Sequence, residues 1–315
     1  SLRVRQDLLI LDALQVGDEA ARSAALARIR QLAAHEVGHA LGLIHNFAGS
    51  SQQRSSVMDY PAPRIELIDG AISVQDAYGV GLGAWDRFAI EWLYGKEYDD
   101  PSAANARLVA SQDDGIAFIA DEDARPLGGA NAAGSLWDDG GDPVDELRRI
   151  LVVREAAIKK FDQTSIRTGR PLSELQRAFV PVWLLHRYQV EATAKLVAGL
   201  RYEYGVSGSA RGIGAQAVGA AEQDQALDAL LLALDAERLT VPEDTRNLLS
   251  GAAAGSSDPQ FDREVLITAG PSVFDPLVAA DVGAQVVLDA LFDPSRLSRA
   301  IVQNAADPDP PSAVE

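Results

Sequence analysis

Three of the four histidines in this chain fall within eleven residues, in the run HEVGHALGLIH at positions 35–45. A segment rich in Ala, Leu and Arg precedes them, with no Gly or Pro from position 18 through 37, and predicts a helix from about Asp18 to Leu43. Residues four positions apart on a helix share a face, one turn apart. His35 and His39 are therefore placed to bind one metal ion together.

Glu36 and Gly42 complete this local arrangement. Glu36 lies about 100° around the predicted helix from His35, where its carboxylate can reach a water on the ion without binding the ion itself. Gly42 can adopt a left-handed conformation that ends the helix in a sharp turn, so that the chain doubles back and presents His45 as a third ligand. Three neutral imidazoles leave the fourth tetrahedral position of zinc open for water, which is typical of a catalytic rather than a structural site.

The other side of this helix carries apolar side chains that we expect to anchor it in the core. These are Ala33, Val37, Ala40 and Leu41. For a lone histidine, a packed or surface role is the ordinary interpretation. Glu, His, Gly and His at these offsets arise by chance with a probability on the order of 10⁻⁶, so the spacing favours a metal site.

Composition excludes several other kinds of chemistry. The chain has 315 residues, of which 47% are hydrophobic and 23% charged, as in folded proteins of one or two domains. The absence of cysteine excludes thiolate ligands, a cysteine nucleophile and disulfides. A net charge of −18 opposes binding to nucleic acid or anionic lipid. No apolar run reaches the roughly 18 residues that a transmembrane helix needs.

The patterning predicts a predominantly α-helical fold with a small α+β part. Besides the helix at 18–43, helices are predicted at 84–94, 142–161, 172–204, 220–234 and 276–304. One or two short strands are predicted within 1–14, a further strand at 115–120, and a hairpin of apolar runs at 65–68 and 71–74 around Asp69-Gly70.

The run at 35–45 resembles the long zinc signature of the metzincin metallopeptidases, which include the astacins, the serralysins and the matrix metalloproteases. Metzincins also carry a methionine turn beneath the metal, and Ser56-Val57-Met58-Asp59-Tyr60, with the only methionine of the chain, is similar to it. The resemblance implies that Met58 forms a hydrophobic floor under the imidazoles. It also implies that Tyr60 helps to stabilise the reaction intermediate, although a packed tyrosine bonded to a backbone carbonyl is the alternative.

Longer strings resemble one bacterial family more narrowly, the Met-zincins. The strings are HNFAGS at 45–50 and RSSVMDYP at 54–61, with weaker matches at 76–78, 83–86 and 186–189. The resemblance implies a zinc-dependent endopeptidase with one catalytic Zn²⁺ and a peptide or protein substrate. It also implies an exported protein, periplasmic or at the cell surface.

The resemblance further implies how the chain is divided. Residues 1–100 are expected to form the C-terminal part of a metzincin-like catalytic domain, 101–306 a mainly helical domain, and 307–315 a disordered tail. Metzincins place a subdomain with a twisted sheet before the zinc helix, and its edge strand binds the substrate. Only 34 residues precede His35, so we expect that subdomain to lie upstream of this chain and the activity of the chain alone to be impaired.

The roles expected from this resemblance extend beyond the ligands. Glu36 is the expected general base, which takes a proton from water and passes it to the departing amine. Asn46 and Asp59 are expected to support the centre from behind, Asn46 by bonds from its side chain to the backbone. His186 either approaches the site from the helical unit or packs between helices, and packing is the commoner role of such a residue.

Two alternatives remain open at this point. The chain could be a non-catalytic helical binding or scaffold module that retains a metal site, although intact Glu36 and Tyr60 argue against this. The acidic run at 138–142 does not have the spacing of a calcium-binding loop, and a turn followed by a helix N-cap explains it better, so no calcium is expected.

Overall fold

The structure is a computed structural model that describes residues 10–205, 207, 214–251, 266, 270, 273–307 and 309–311. The helices in these ranges are α1 (Asp18–Ala40), α2 (Ala84–Tyr94), α3 (Pro101–Asp113), α4 (Asp121–Ala124), α5 (Pro143–Lys160), α6 (Glu174–Trp183), α7 (Arg187–Ala194), α8 (Ala220–Ala233), α9 (Glu243–Leu249), α10 (Pro276–Leu291) and α11 (Pro294–Ala306). Short 3₁₀ turns lie at Lys96–Asp99 and Gln163–Ser165. The strands are β1 (Glu66–Ile68), β2 (Ala71–Ser73), β3 (Leu200–Arg201) and β4 (Gln216–Ala217). The predicted predominantly helical fold with a small β part is confirmed.

An Asp-Pro pair opens four of the helices, namely α3, α5, α10 and α11. In each case the aspartate is the N-cap and its side chain accepts hydrogen bonds from backbone amides of the first turn. The proline has no N–H of its own to satisfy at the first helical position, so it costs the helix nothing there. This signal explains why the helix predicted at 142–161 is found almost unchanged as α5.

Strands β1 and β2 form the predicted hairpin. They pair antiparallel with Leu67 opposite Ile72, and Asp69 and Gly70 have φ angles of 51° and 79°. Two left-handed residues in succession make the primed turn whose twist matches paired strands. The second sheet, β3 with β4, contains only two residues in each strand.

Both strand predictions outside the hairpin are wrong where the structure describes them. Residues 10–13 form a helical turn whose Ile10 and Leu11 are buried, while 1–9 lie outside the described residues. An apolar run of that length fits a buried helix as well as a strand. The segment 116–120 is irregular because side chains bind part of its backbone: Ala117 N–H donates to Gln52 Oε1 at 2.9 Å and Ile119 N–H to Asn46 Oδ1 at 3.1 Å.

Two helix predictions were too long. The predicted helix at 172–204 is divided into α6 and α7, and the chain then enters β3; Pro181, which removes a backbone donor, lies just before the break. The predicted helix at 276–304 is divided at Asp293-Pro294, where Asp293 caps α11. Helix α3 was not predicted, because its acidic, turn-rich surroundings concealed it.

The prediction that the apolar face of α1 anchors the helix is also wrong. Val37 is 58% exposed and Leu41 41% exposed. The residues of α1 that are buried instead are Ala24, Arg28, Gln31, His35 and Gly38. The helix directs its histidine face toward the protein, because the Met58 turn lies on that side.

The largest hydrophobic core is built around α5, which packs against α6, α7, α8 and the hairpin. Helix α10 packs against α7 and also contacts α8. This core includes Leu14, Ile65 and Tyr78 as well as residues of the downstream helices. A smaller core of Leu43, Val57, Met58, Trp85 and Ala89 lies beneath the histidines. None of the helices in the described ranges is both long and apolar enough to span a membrane.

Candidate metal centre

Helix α1 and the turn that ends it bring the three predicted histidines together. The rings of His35 and His39 lie edge to face, with centroids 4.6 Å apart. Gly42 has a φ of +91°, and Leu43 N–H donates back to Gly38 O at 3.0 Å, which is the sharp reversal that the sequence predicted. His45 consequently lies 5.3 Å from His35 and 4.8 Å from His39, measured between ring centroids.

The second nitrogen of each ring shows which atom faces the centre. The Nδ1 atoms of His35 and His39 lie 2.8 Å from Val57 O and 2.9 Å from Leu43 O, and a carbonyl can only accept, so both Nδ1 atoms carry the proton. His45 Nδ1 lies 2.8 Å from a carboxylate oxygen of Asp121. The lone pairs are therefore on Nε2, and the tautomer of each ring is set by its outer partner.

These side chains fit a zinc ion. One ligand atom from each of His35, His39 and His45 lies within 4.8 Å of the others. His35 Nε2 is buried and has no hydrogen-bond partner among the described residues, which is costly for a polar atom unless a ligand satisfies it. Burial lowers the pKa of His35 more than its bond to Val57 raises it, which favours the neutral form that binds metal.

Met58 lies under these rings and is fully buried. Its thioether packs directly against Gly38 of α1, where even a methyl group would collide with the sulfur. Met58 O accepts a hydrogen bond from Asn46 N–H at 3.1 Å, which joins the turn to the loop after His45. Asp86 at the start of α2 supports the turn by accepting from Val57 N–H at 2.9 Å.

The hydroxyl of Tyr60 points into the centre. It lies 2.9 Å from His45 Nε2 and, because that nitrogen is unprotonated, the hydroxyl is the donor. The Tyr60 ring stacks on Trp137 with centroids 4.9 Å apart and on His35 at the same separation. The sequence left a backbone carbonyl as the alternative partner for this hydroxyl, whereas the bond in the structure is to the imidazole.

Asn46 and Asp59 contact the loops behind the centre. Asn46 Oδ1 accepts from Ala48 N–H and Ile119 N–H, both at 3.1 Å. Asp59 is fully buried and accepts from Ser50 N–H at 2.7 Å. Burial and the neighbouring Asp138 raise the pKa of Asp59 well above its usual value, and burial raises the pKa of Asp138 to about 6.

Glu36 and His186 have contrasting surroundings. Glu36 is exposed on α1, next to His35 in sequence. His186 is buried at the start of α7, where burial and then the charges of Arg154, Arg187 and Arg238 lower its pKa well below the usual value. These neighbours belong to the helical core and not to the three-histidine cluster.

Sequence reasoning missed two residues of this centre, Asp121 and Arg125. Asp121 is 76 positions from His45, in a stretch that carried no recognisable motif. Arg125 pairs with Asp121, and its guanidinium lies 5.5 Å from the ring centre of Phe47 and 5.8 Å from that of Tyr60. Partial burial alone would raise the pKa of Asp121, but the hydrogen bonds from Arg125 and His45 outweigh it and lower that pKa.

An apolar cavity of about 680 Å³ lies beside the histidine loop. Residues 42–44, immediately before His45, form one part of its wall, and residues 116–119 form another. Aromatic side chains, including Trp85 and Trp92, line much of the remainder, with Tyr204 also among the lining residues. Its size is within the range of pockets that bind small molecules and side chains.

One of three comparisons with known proteins gave a match, and it agrees with this geometry. A family model described as Met-zincin matches residues 17–315, which is almost the whole chain and includes the three histidines, Met58 and Tyr60. A search of curated proteins and a search of solved structures each gave no match. The family implies a function of the zinc metallopeptidase type. By the extent of the family match, this chain belongs to the Met-zincin family.

Proposed function

We propose that this chain carries the catalytic centre of a zinc-dependent endopeptidase. The observation that supports it most is the convergence of three imidazoles, each anchored through Nδ1, with a tyrosine hydroxyl at the same point. A structural zinc site is usually closed by four protein ligands, whereas three histidines leave a position open.

The residues of the centre divide the chemical work. His35, His39 and His45 would hold Zn²⁺ through Nε2. When bound, the ion supplies Lewis acidity that polarises a carbonyl and acidifies water. Glu36 accepts a proton from the attacking water and returns it to the departing amine. Tyr60 donates its hydroxyl hydrogen bond to the carbonyl oxygen as negative charge develops there.

The cavity supports a peptide with bulky apolar side chains as the substrate class. Residues 42–44 of the histidine loop form part of its wall, so the cavity would take a side chain of a peptide whose backbone lies at the metal. Aromatic walls such as Trp85 and Trp92 favour a large apolar group over a charged one.

Glu36→Gln in the native protein tests the proposal. The amide keeps the shape of the side chain but cannot accept a proton, so hydrolysis of peptides rich in Phe and Leu should fall by roughly 10²–10⁴-fold. Zinc content should remain one ion per chain, since Glu36 is not among the ligands. Metal analysis and a peptide-cleavage assay with and without chelator measure the two effects.

Glu19→Gln is the matched control, because Glu19 is an exposed glutamate at the other end of the same helix, far from the centre. It should leave both zinc content and hydrolysis unchanged. Undiminished cleavage by Glu36→Gln would refute the mechanism. A zinc-loaded wild-type protein that cleaves no peptide would favour the non-catalytic scaffold instead.

A further inference from the structure

Asp121 gives one of the three candidate ligands a charged partner. Its carboxylate lies 2.8 Å and 3.1 Å from His45 Nδ1 through its two oxygens. His35 and His39 bind neutral backbone carbonyls and are part of a continuous helix. His45 follows the helix end in a loop, so its ring has less backbone constraint and depends more on the partner of its Nδ1.

The carboxylate of Asp121 is itself held in place. Arg125, one turn later, pairs with its other side. Asp123 accepts hydrogen bonds from the hydroxyls of Tyr202 and Tyr204, and Tyr204 also accepts from Ala120 N–H at 3.0 Å. The chain around Asp121 is thereby fixed to the segment around β3.

A buried lysine fixes the same turn from the other side. Lys195 is almost completely buried, and its Nζ donates to Ala124 O at 2.5 Å and to Gly134 O at 2.8 Å. The residue follows α7 directly. The downstream helices therefore determine the position of Asp121 relative to the histidine loop.

We propose that Asp121 is a positioning residue of the metal centre: it holds the His45 ring with Nε2 directed at the ion. Metal affinity therefore depends on the chain beyond residue 100. A carboxylate that accepts from Nδ1–H orients the ring and increases the basicity of Nε2. Arg125 keeps the carboxylate from turning away. The identity of the ion rests on the proposed function, whereas the orientation of the His45 ring by Asp121 does not.

Asp121→Asn and Asp121→Ala test this proposal in the native protein. Loss of such an outer partner weakens metal binding by roughly 10–100-fold, and we expect the asparagine variant at the lower end because its amide oxygen still accepts from Nδ1. The zinc dissociation constant is measured by competition with a chelating dye. Glu122→Gln is the matched control, since it removes the same charge from the exposed neighbouring residue and should leave the constant unchanged.

The metal-free protein supplies a second measurement. Nitrogen-15 NMR of the histidine rings should show His45 in a single Nδ1–H tautomer in the wild type and in Glu122→Gln. In Asp121→Ala it should show a mixture of tautomers. Far-ultraviolet circular dichroism and the melting temperature identify any variant that fails to fold. If Asp121→Ala does so, the near-isosteric Asp121→Asn takes its place.

The outcomes separate this proposal from the proposed function. An unchanged dissociation constant together with an unchanged His45 tautomer in Asp121→Ala would overturn the role of Asp121. An equal loss of affinity in Glu122→Gln would overturn it too, since the effect would then be general electrostatics. A wild type that binds no zinc would refute the proposed function, while the tautomer of His45 would still decide the role of Asp121.

Discussion

The helix that carries the histidines buries mostly polar side chains, whereas the central helix of the downstream core buries mostly apolar ones. Besides Ala24, helix α1 buries Arg28, Gln31, His35 and Gly38, and it leaves Val37 exposed. Helix α5 follows the ordinary rule: apart from Arg154, every side chain that it buries is apolar, namely Val144, Leu147, Ile150, Leu151, Val153, Ala157 and Ile158. Apolar periodicity therefore predicts which face of a helix is buried only where apolar packing is the main interaction that stabilises the helix.

The N-terminal half of α1 packs small alanines such as Ala24 against the main core, whereas its histidine-bearing half is held by polar contacts and by one close backbone approach. His35 and Gln31 both donate to Val57 O, at 2.8 Å and 3.3 Å, and the Met58 sulfur packs against Gly38. Each such hydrogen bond contributes only about 1 kcal/mol net, whereas a buried leucine contributes roughly 1.5–3 kcal/mol through its apolar surface alone. The two regions should therefore respond differently to mutation, to pH and to metal.

The largest effect should come from removing a core side chain of α5. Leu147 is fully buried in the main core, and Leu147→Ala should lower the free energy of unfolding by about 2–5 kcal/mol through lost transfer energy and the cavity left behind. Urea unfolding followed by circular dichroism measures it. A loss below about 1 kcal/mol would show that α5 is not the centre of an apolar core.

The buried carboxyl groups near the metal centre should make the free energy of unfolding fall as pH rises. Asp138 is buried beside Asp59, and its pKa is raised to about 6 by burial. The folded protein thus retains a proton that the unfolded chain releases near its ordinary pKa of about 3.9. The retained proton therefore contributes to the free energy of unfolding. The contribution is fully present below about pH 4 and is lost as pH rises through 6, by up to about 3 kcal/mol.

Asp138→Asn should remove this dependence, measured as the difference from wild type in urea unfolding between pH 4.5 and 7.5. The difference is the relevant quantity because the lowered pKa values of His35 and His186 act in the opposite direction. Asp228→Asn, at an exposed position of α8, is the control and should follow the wild-type curve. If Asp138→Asn keeps the wild-type slope, the carboxyl is not protonated in the folded protein.

What the sequence predicted well depends on short separations along the chain. His35, His39 and His45 lie within one helix and its terminal turn, and Gly42 marks that turn. Helix geometry and the turn at Gly42 relate these positions, so their spacing was enough to predict the cluster. The same holds for Asp142 at the start of α5, where an N-cap and a proline are adjacent.

What the sequence could not predict depends on tertiary packing. Asp121 reaches His45 across 76 positions, and no local pattern distinguishes it from the other acidic residues of its stretch. The exposure of Val37 could not be predicted either, because its spacing is that of an ordinary core position. Asp293-Pro294 is different. An N-cap aspartate followed by proline is a local signal for a new helix, and the predicted helix at 276–304 did not take it into account.

The smallest effect should come from a matched pair of substitutions that compares the two helices directly. Val153 of α5 is 1% exposed and Val37 of α1 is 58% exposed. Threonine has nearly the size of valine but adds a hydroxyl, so Val153→Thr should cost about 1–2 kcal/mol by burying it. Val37→Thr should change the free energy of unfolding by less than about 0.5 kcal/mol, since the hydroxyl meets water. Equal losses at the two positions would show that the outer face of α1 is covered in solution, and the contrast between the two helices would then be wrong.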